Sequence, residues 1–385
     1  MIARCASRRI AAWVAVAQLA TWGTAGVARG CPFCNALTPT FSERRAVADA
    51  VVLGEAAGGR TFRIVQVPQG REALGPRATL DLSTTELASI ADAPTAGLAL
   101  LLGKLHDGAW SWEAVAVDEA SAAYFLRMPA AERPTVERLR YCAKYLEHPN
   151  EQVADDAYGE FGRASYDDVR RAADALPQAA LRRWIVDPAV PERRKGFYGL
   201  ALGLAPDVAE RRTNAALLRR LATAAGTDFR AGFDGLLGGW LIAEGAAALD
   251  AIEARILANP QAAEGDVRHA QAALRFYVEY GRALSADRLA RSTALLLDRP
   301  ATAPGALADL TRARRWEFVS RAERLFVASA GDDPALDRAA IGYLLVCPEA
   351  DAAAALRRVR LAQPRRYAEA ERHWAMLGVR PAAGD

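Results

Sequence analysis

Two rhythms of apolar and polar residues divide this chain. From Ala48 to Val117 the period is two, the mark of strands with one face covered. Ala50 to Leu53 follows a helical turn around Phe41 to Ala48, and Phe62 to Val67 follows a Gly-Gly turn. Ala78, Leu80 and Leu82 alternate with Thr79, Asp81 and Ser83; Leu98 to Leu102 is a continuous apolar run, and Asp107-Gly108 turns it into Trp110 to Val117. Five strands of this length predict a small barrel or sandwich.

Beyond residue 130 the rhythm becomes helical. The pattern predicts a helix from Thr135 to Glu147, with Val136, Leu139, Cys142, Ala143 and Leu146 on one apolar stripe. His148-Pro149 stops it, because the residue before a proline is pushed out of the helical region. Asn150 is a good N-cap, Glu151 suits the positive end of a helix dipole, and Ala154, Ala157, Tyr158 and Phe161 form a second stripe. Asp156 and Glu160 fall on what reads as an outward face, calling for a cation from Arg140, Lys144 or the next hairpin. A hairpin of this kind cannot cover its own apolar faces, so it must recur. Proline breaks at Asp187-Pro188, Asn259-Pro260, Arg299-Pro300 and Asp333-Pro334 follow Pro149 at separations of 39, 72, 40 and 34 residues, one or two times the period of a two-helix repeat.

The residues Asp333, Pro334, Leu336, Arg338, Ala340, Ile341 and Leu344, and again Pro149, Val153, Ala157 and Phe161, resemble HEAT-like repeats; Ala154 stands in place of the expected arginine. The resemblance covers residues 132–376 and implies an α-solenoid of the kind that serves as a binding scaffold. The N-terminal part, with its leading cysteines, Ala48 to Gly54, and Thr61-Phe62 to Val67 followed by Gly70, resembles the netrin or metalloprotease-inhibitor module, an OB-type barrel. Those modules tie their N-terminal cysteines to partners within the barrel, and no other cysteine lies within this one. The whole layout, a Cys-Pro-Phe-Cys start, a β-rich module and a helical part with Tyr-Leu-Glu-His-Pro, resembles uncharacterised bacterial secreted proteins. The expected fold is α+β, mainly α: a signal peptide at 1–30, a small five-stranded OB-like barrel at 31–128, a HEAT-like α-solenoid at 132–376 and a disordered tail at 377–385.

Charge changes the picture once the N-terminus is considered. Arg4, Arg8 and Arg9 precede the uncharged segment Ile10 to Val27 and then Ala28-Arg29-Gly30, the regions of an export signal. Its removal takes four arginines and no acids, so 49 basic residues become 45 against 46 acidic, and the net charge of +3 becomes −1. No global electrostatic argument for nucleic acid or an anionic membrane survives. The expected location is periplasmic or extracellular, with membrane attachment only if Cys31 is lipidated or the signal is uncleaved.

Candidate chemistry centres on Cys31 and Cys34. In an oxidising compartment they suit a short disulfide; a redox pair needs a strand leading to a helix N-terminus, a zinc site needs two further ligands, and a lipid on Cys31 needs processing at that residue. Covalent haem is excluded, because Asn35 occupies the place of the required histidine. Cys142 and Cys347 read as buried apolar residues. Trp110 and Trp112 share a strand face and suit either core packing or a platform for a glycan. Arg182, Arg183, Arg193, Arg194 and Lys195 are the densest basic cluster, either paired with neighbouring acids or open to an acidic partner. Gly232, Gly235, Gly238 and Gly239 lack a preceding strand, so close helix contact outweighs a nucleotide site. Asp155, Asp156 and Glu160 closely follow His148, which invites a metal or acid–base reading, but a charged outer helix face accounts for them better; His106, His269 and His373 have no partner at motif spacing. The reading is an exported helical-repeat binding protein, with protein as the expected partner and glycan as an alternative, and with no metal, cofactor or evident catalytic machinery. The competing reading is a thiol–disulfide redox or metal-dependent factor acting through Cys31 and Cys34.

Overall fold

The computed structural model describes residues 38–82, 95–224 and 230–379. The segment expected to be an export signal, Cys31, Cys34 and the final residues 380–385 therefore lie outside the described residues. The fold is α+β and mainly helical.

Thr40 starts helix α1 (Phe41–Ala46) with a capping box: its hydroxyl accepts from Glu43 N–H while the Glu43 carboxylate accepts from Thr40 N–H. Five strands follow, β1 (Ala50–Ala56), β2 (Thr61–Gln69), β3 (Thr79–Asp81), β4 (Leu98–His106) and β5 (Ala109–Val117), with the short α2 (Arg71–Leu74) between β2 and β3. They form one curled antiparallel sheet in the order β3-β2-β1-β4-β5. Asp107 and Gly108, both at positive φ, close the β4–β5 hairpin as the Asp-Gly pair predicts. The alternation sends Ala50, Val52, Phe62, Leu80, Leu101 and Trp112 to one face, sealed by Leu74 and Leu82. Val51, Leu53, Leu100, Leu102 and Val117 face the helices and share one continuous apolar core with them.

Helix α3 (Glu119–Arg127), capped by Asp118, bridges the sheet to α4 (Thr135–Cys142), which tightens into a 3₁₀ turn (Ala143–Tyr145) before the His-Pro break. Helix α5 (Glu151–Arg163) starts at Asn150, whose side chain accepts from Val153 N–H. Leu139, Cys142, Ala143 and Leu146 on one side and Ala154, Ala157, Tyr158 and Phe161 on the other are all buried, closing the hairpin. Helix α6 (Tyr166–Arg171) leads to α7 (Gln178–Trp184), α8 (Glu192–Gly203), α9 (Val208–Thr223), α10 (Phe233–Glu244) and α11 (Ala246–Ile252), the last extended by a π turn (Glu253–Leu257). Then come α12 (Glu264–Tyr280), α13 (Ala286–Ala294) with a 3₁₀ turn (Leu295–Asp298), α14 (Ala303–Arg312), α15 (Val319–Ala328), α16 (Pro334–Val346), α17 (Ala350–Ala362) and α18 (Pro364–Met376).

All five proline breaks fall at the same kind of turn, where an odd-numbered helix or its predecessor α4 gives way to the next helix. The doubled interval of 72 residues spans the α9–α10 turn, which has no proline and enters α10 through Gly232 at positive φ. Even-numbered helices pack on one another, α8 on α10, α10 on α12, α14 on α16 and α16 on α18; α7 packs on α9 and α15 on α17. The closest approach is between α8 and α10. Gly196, Gly199 and Gly203 face Gly232, Gly235 and Gly239, two triads of identical spacing, and a Cβ on Gly239 would stand 2.0 Å from the Gly199 carbonyl oxygen. One contact departs from nearest-neighbour stacking: the Tyr166 ring of α6 lies 5.1 Å from Phe276 and 4.5 Å from Tyr280, both on α12. Among the described residues no helix is long and apolar enough to cross a membrane.

Candidate functional site

Where the sheet module meets the helices, the expected outward face of α5 turns inward. Asp156 accepts from Phe41 N–H at 2.6 Å and from the Tyr124 hydroxyl at 2.9 Å, so its carboxylate caps the positive end of α1. Glu160 is buried, accepts from the Ser42 hydroxyl and is paired with Arg138. Neither Arg140 nor Lys144 supplies the cation; Arg140 pairs with Asp174. The correction has a physical reason. Helix α5 is covered on two sides, by its hairpin partner and by α1, and Gly159 lets Thr40 approach until a Cβ there would be 3.0 Å from its methyl.

Burial pushes the Asp156 carboxyl up to about 6, with the Phe41 and Tyr124 hydrogen bonds offsetting part of the rise. Since the folded value lies above the unfolded one of 3.8, this group's stabilising contribution is complete at acid pH and is lost as pH rises through about 6. Asp156→Asn removes that dependence. Denaturant unfolding at pH 7.5 and 4.5 is expected to show wild type gaining roughly 2–3 kcal/mol more than the variant on acidification. Equal gains would mean that Asp156 is solvated and ionised throughout.

Four of the five residues of the basic cluster, all but Arg183, are spent on ion pairs. Arg194, only 3% exposed, reaches Glu147 at 2.9 Å and Asp155 at 2.5 Å, and Arg193 reaches Asp155 at 2.7 Å. Burial raises the Asp155 carboxyl, but hydrogen bonds from Arg194 and Arg193 outweigh it and hold the group below its usual range. Glu147 also accepts from the Tyr198 hydroxyl. Arg182 bridges to Glu210 and Asn214, Lys195 pairs with Glu192, and Arg183 donates only to the Ala179 carbonyl. The same device recurs along the chain: Arg230 to Asp266, Arg288 to Glu253, Arg275 to Asp309 and Arg358 to Glu323. These rungs give the Tyr-Leu-Glu-His-Pro segment its role. Tyr145 packs against Tyr124 and Tyr141, Leu146 is core, Glu147 receives Arg194, and His148 Nδ1 accepts from Asn150 N–H ahead of the cap.

The tryptophans lie on one strand face as the alternation predicts, stacked at 5.1 Å over Gly103. Trp112 is 1% exposed and belongs to the sheet's core, so Trp110 alone keeps part of its ring at the surface. Cys142 and Cys347 are buried free thiols, and burial raises both above the ordinary thiol range, which suits inert packing. Gly235 and Gly239 serve the α8–α10 contact. His106 faces Asp107 in an exposed turn, His269 approaches Asp234 and His373 packs against Trp374. Among the described residues no three His, Cys, Asp or Glu side chains converge as a metal site.

A further concavity lies outside the residues that the sequence pattern points to. The C-terminal half of α12, α13 and the end of α14 enclose a groove of about 740 Å³ whose walls include Phe276, Tyr280, Leu289 and Leu310. Asp309, 10% exposed, ties its rim by accepting from Gln271, Arg275 and Arg312. Val278, 46% exposed, and Glu279 stand at the open edge. An apolar wall with a few fixed polar groups is the general form of a ligand-binding or active site. Comparison of the chain with protein-family models and with curated proteins found no match.

Proposed function

We propose that this is an exported helical-repeat binding protein whose helices form a HEAT-like solenoid and whose α12–α14 groove takes an apolar segment of a protein partner. The observation that carries the reading is the groove itself: partly exposed apolar side chains held open by a pinned Asp309 rim. The even-on-even packing and the recurring rungs support the repeat assignment. For the sheet, the strand order is that of an OB barrel left open between β3 and β5, which supports the netrin-like reading of the first module. Export rests on the N-terminal sequence pattern alone.

Affinity capture from an extract of the export compartment tests the groove. Val278→Asp changes an exposed side chain and is expected to leave the fold intact while abolishing capture of a partner that wild type retains. Identical captured sets for the two proteins would remove the groove from consideration. The thiol reading is separated by labelling of Cys31 and Cys34 before and after reduction, where a rapidly reacting pair would favour redox work.

A further inference from the structure

We propose that the layer formed by the odd-numbered helices α7 to α17 docks on the surface of an anionic phospholipid bilayer. The inference follows from what remains after every ion pair is taken out. Arg182, Arg288, Arg321 and Arg358 are consumed in rungs that also neutralise Glu210, Asp250, Glu253, Asp298 and Glu323, while Arg315 neutralises Asp287. Among the described residues, Asp351 is then the one carboxylate within these six helices that lacks an ion pair, and Asp187, Asp207 and Glu349 at their ends lack one too.

The arginines left over recur along the whole layer. Arg183, Arg220, Arg255, Arg291, Arg324 and Arg357 are all exposed, one from each odd helix or its π extension, and none forms an ion pair among the described residues. Arg212 and Arg360 add to them. Solvated faces ordinarily mix both signs evenly, so eight unpaired arginines against four such carboxylates, on a chain whose total charge is close to neutral, mean that charge has been segregated. The even helices show no such excess. Exposed Arg365 and Arg372 and half-buried Arg338 there are set against Glu279, Glu369 and Glu371.

The partner must present anions again and again, since neighbouring helices lie about 10 Å apart and the guanidinium groups never converge on one point. Phosphate headgroups do this. Bare aliphatic side chains on the same layer separate a bilayer from a soluble polyanion: Val186 and Val208 beside α7 and α9, Val327 on α15, and Leu361 on α17, which is 84% exposed. A polysaccharide or nucleic acid gives these no role, whereas a membrane interface accepts arginine and aliphatic side chains together.

The test uses the full chain with phosphatidylcholine vesicles, alone or containing about a third phosphatidylglycerol, and reads both partitioning and peptide-resolved hydrogen exchange. Binding confined to the anionic vesicles is expected, with protection on the odd helices and loss as salt rises from about 0.05 to about 0.3 M. Reversing four arginines together, R255E, R291E, R324E and R357E, is expected to weaken partitioning about tenfold or more with little change of the melting temperature, because none of the four forms an ion pair or ring contact among the described residues. Groove capture persists in that variant, so failure here and failure of the proposed function are distinguishable. Equal binding to both vesicle types, protection only at the N-terminal apolar segment, or no effect of the reversal would overturn the assignment. Heparin shielding the odd helices while vesicles do not would assign the face to a soluble polyanion instead.

Discussion

Gly239→Ala is expected to destabilise the protein by about 3 kcal/mol or more, and to leave little folded material if the margin is ordinary. In an isolated helix the same change helps, by about 1 kcal/mol, because alanine is the better helix former. Here the added methyl group would meet the Gly199 carbonyl oxygen at 2.0 Å and its carbon at 2.6 Å. Backbone cannot swing aside as a side chain can, so α8 and α10 must separate, opening the contacts around buried Phe197, Leu200, Leu237 and Trp240. Gly305→Ala provides the contrast. Its methyl would meet the end of the Gln271 side chain, at 2.8 Å, and a smaller cost of about 1 kcal/mol is expected. Thermal melts of the two variants check the claim; similar shifts would mean that the glycine triads are not a close backbone contact.

Arg194→Met is expected to cost about 3 kcal/mol, since removing one partner from a buried network leaves the other's charge poorly compensated. Glu147, 15% exposed, keeps only the Tyr198 hydroxyl, while Asp155 keeps Arg193. The native arrangement is itself imperfect, because Arg194 Nε is buried without an acceptor. A double variant with Glu147→Gln should therefore recover much of the loss, the buried charge having gone with its partner. A strictly additive double variant would show that Arg194 acts through packing alone. Asp155 gives a second readout: its carboxyl is held low in the folded state, so its contribution is present above the unfolded value of 3.8 and fades as pH falls through the folded one. The variant is expected to have a shallower acid limb.

Local rules sufficed for the elements and failed wherever a third surface was involved. The strand alternation, the Asp-Gly hairpin, the Asn150 cap and the proline turns are written in residues close together in sequence, and the structure has them where the pattern puts them. Asp156 and Glu160 were misplaced because a helical wheel knows one apolar stripe, whereas α5 has a second neighbour 115 residues upstream. Gly159 was the available signal, a small residue beside two acids on a face taken for solvent. The matching triads Gly196-Gly199-Gly203 and Gly232-Gly235-Gly239, offset by 36 residues, would have filled the gap in the proline series. For the basic cluster the first of the two alternatives holds at Arg182, Arg193, Arg194 and Lys195, which are paired with acids, whereas Arg183 and the other unpaired arginines are spread over separate helices. The groove was not legible at all, since it is enclosed by three helices, α12, α13 and α14, whose packing no short-range pattern records.

The Tyr166 clasp on Phe276 and Tyr280 is a strut that ties α6 to α12 across the five helices between them. Stiffness should therefore be unequal along the molecule, with the part between α6 and α12 moving as one body and compliance concentrated from α13 onward. The groove lies at that boundary, where a small swing of the distal helices would widen or narrow it.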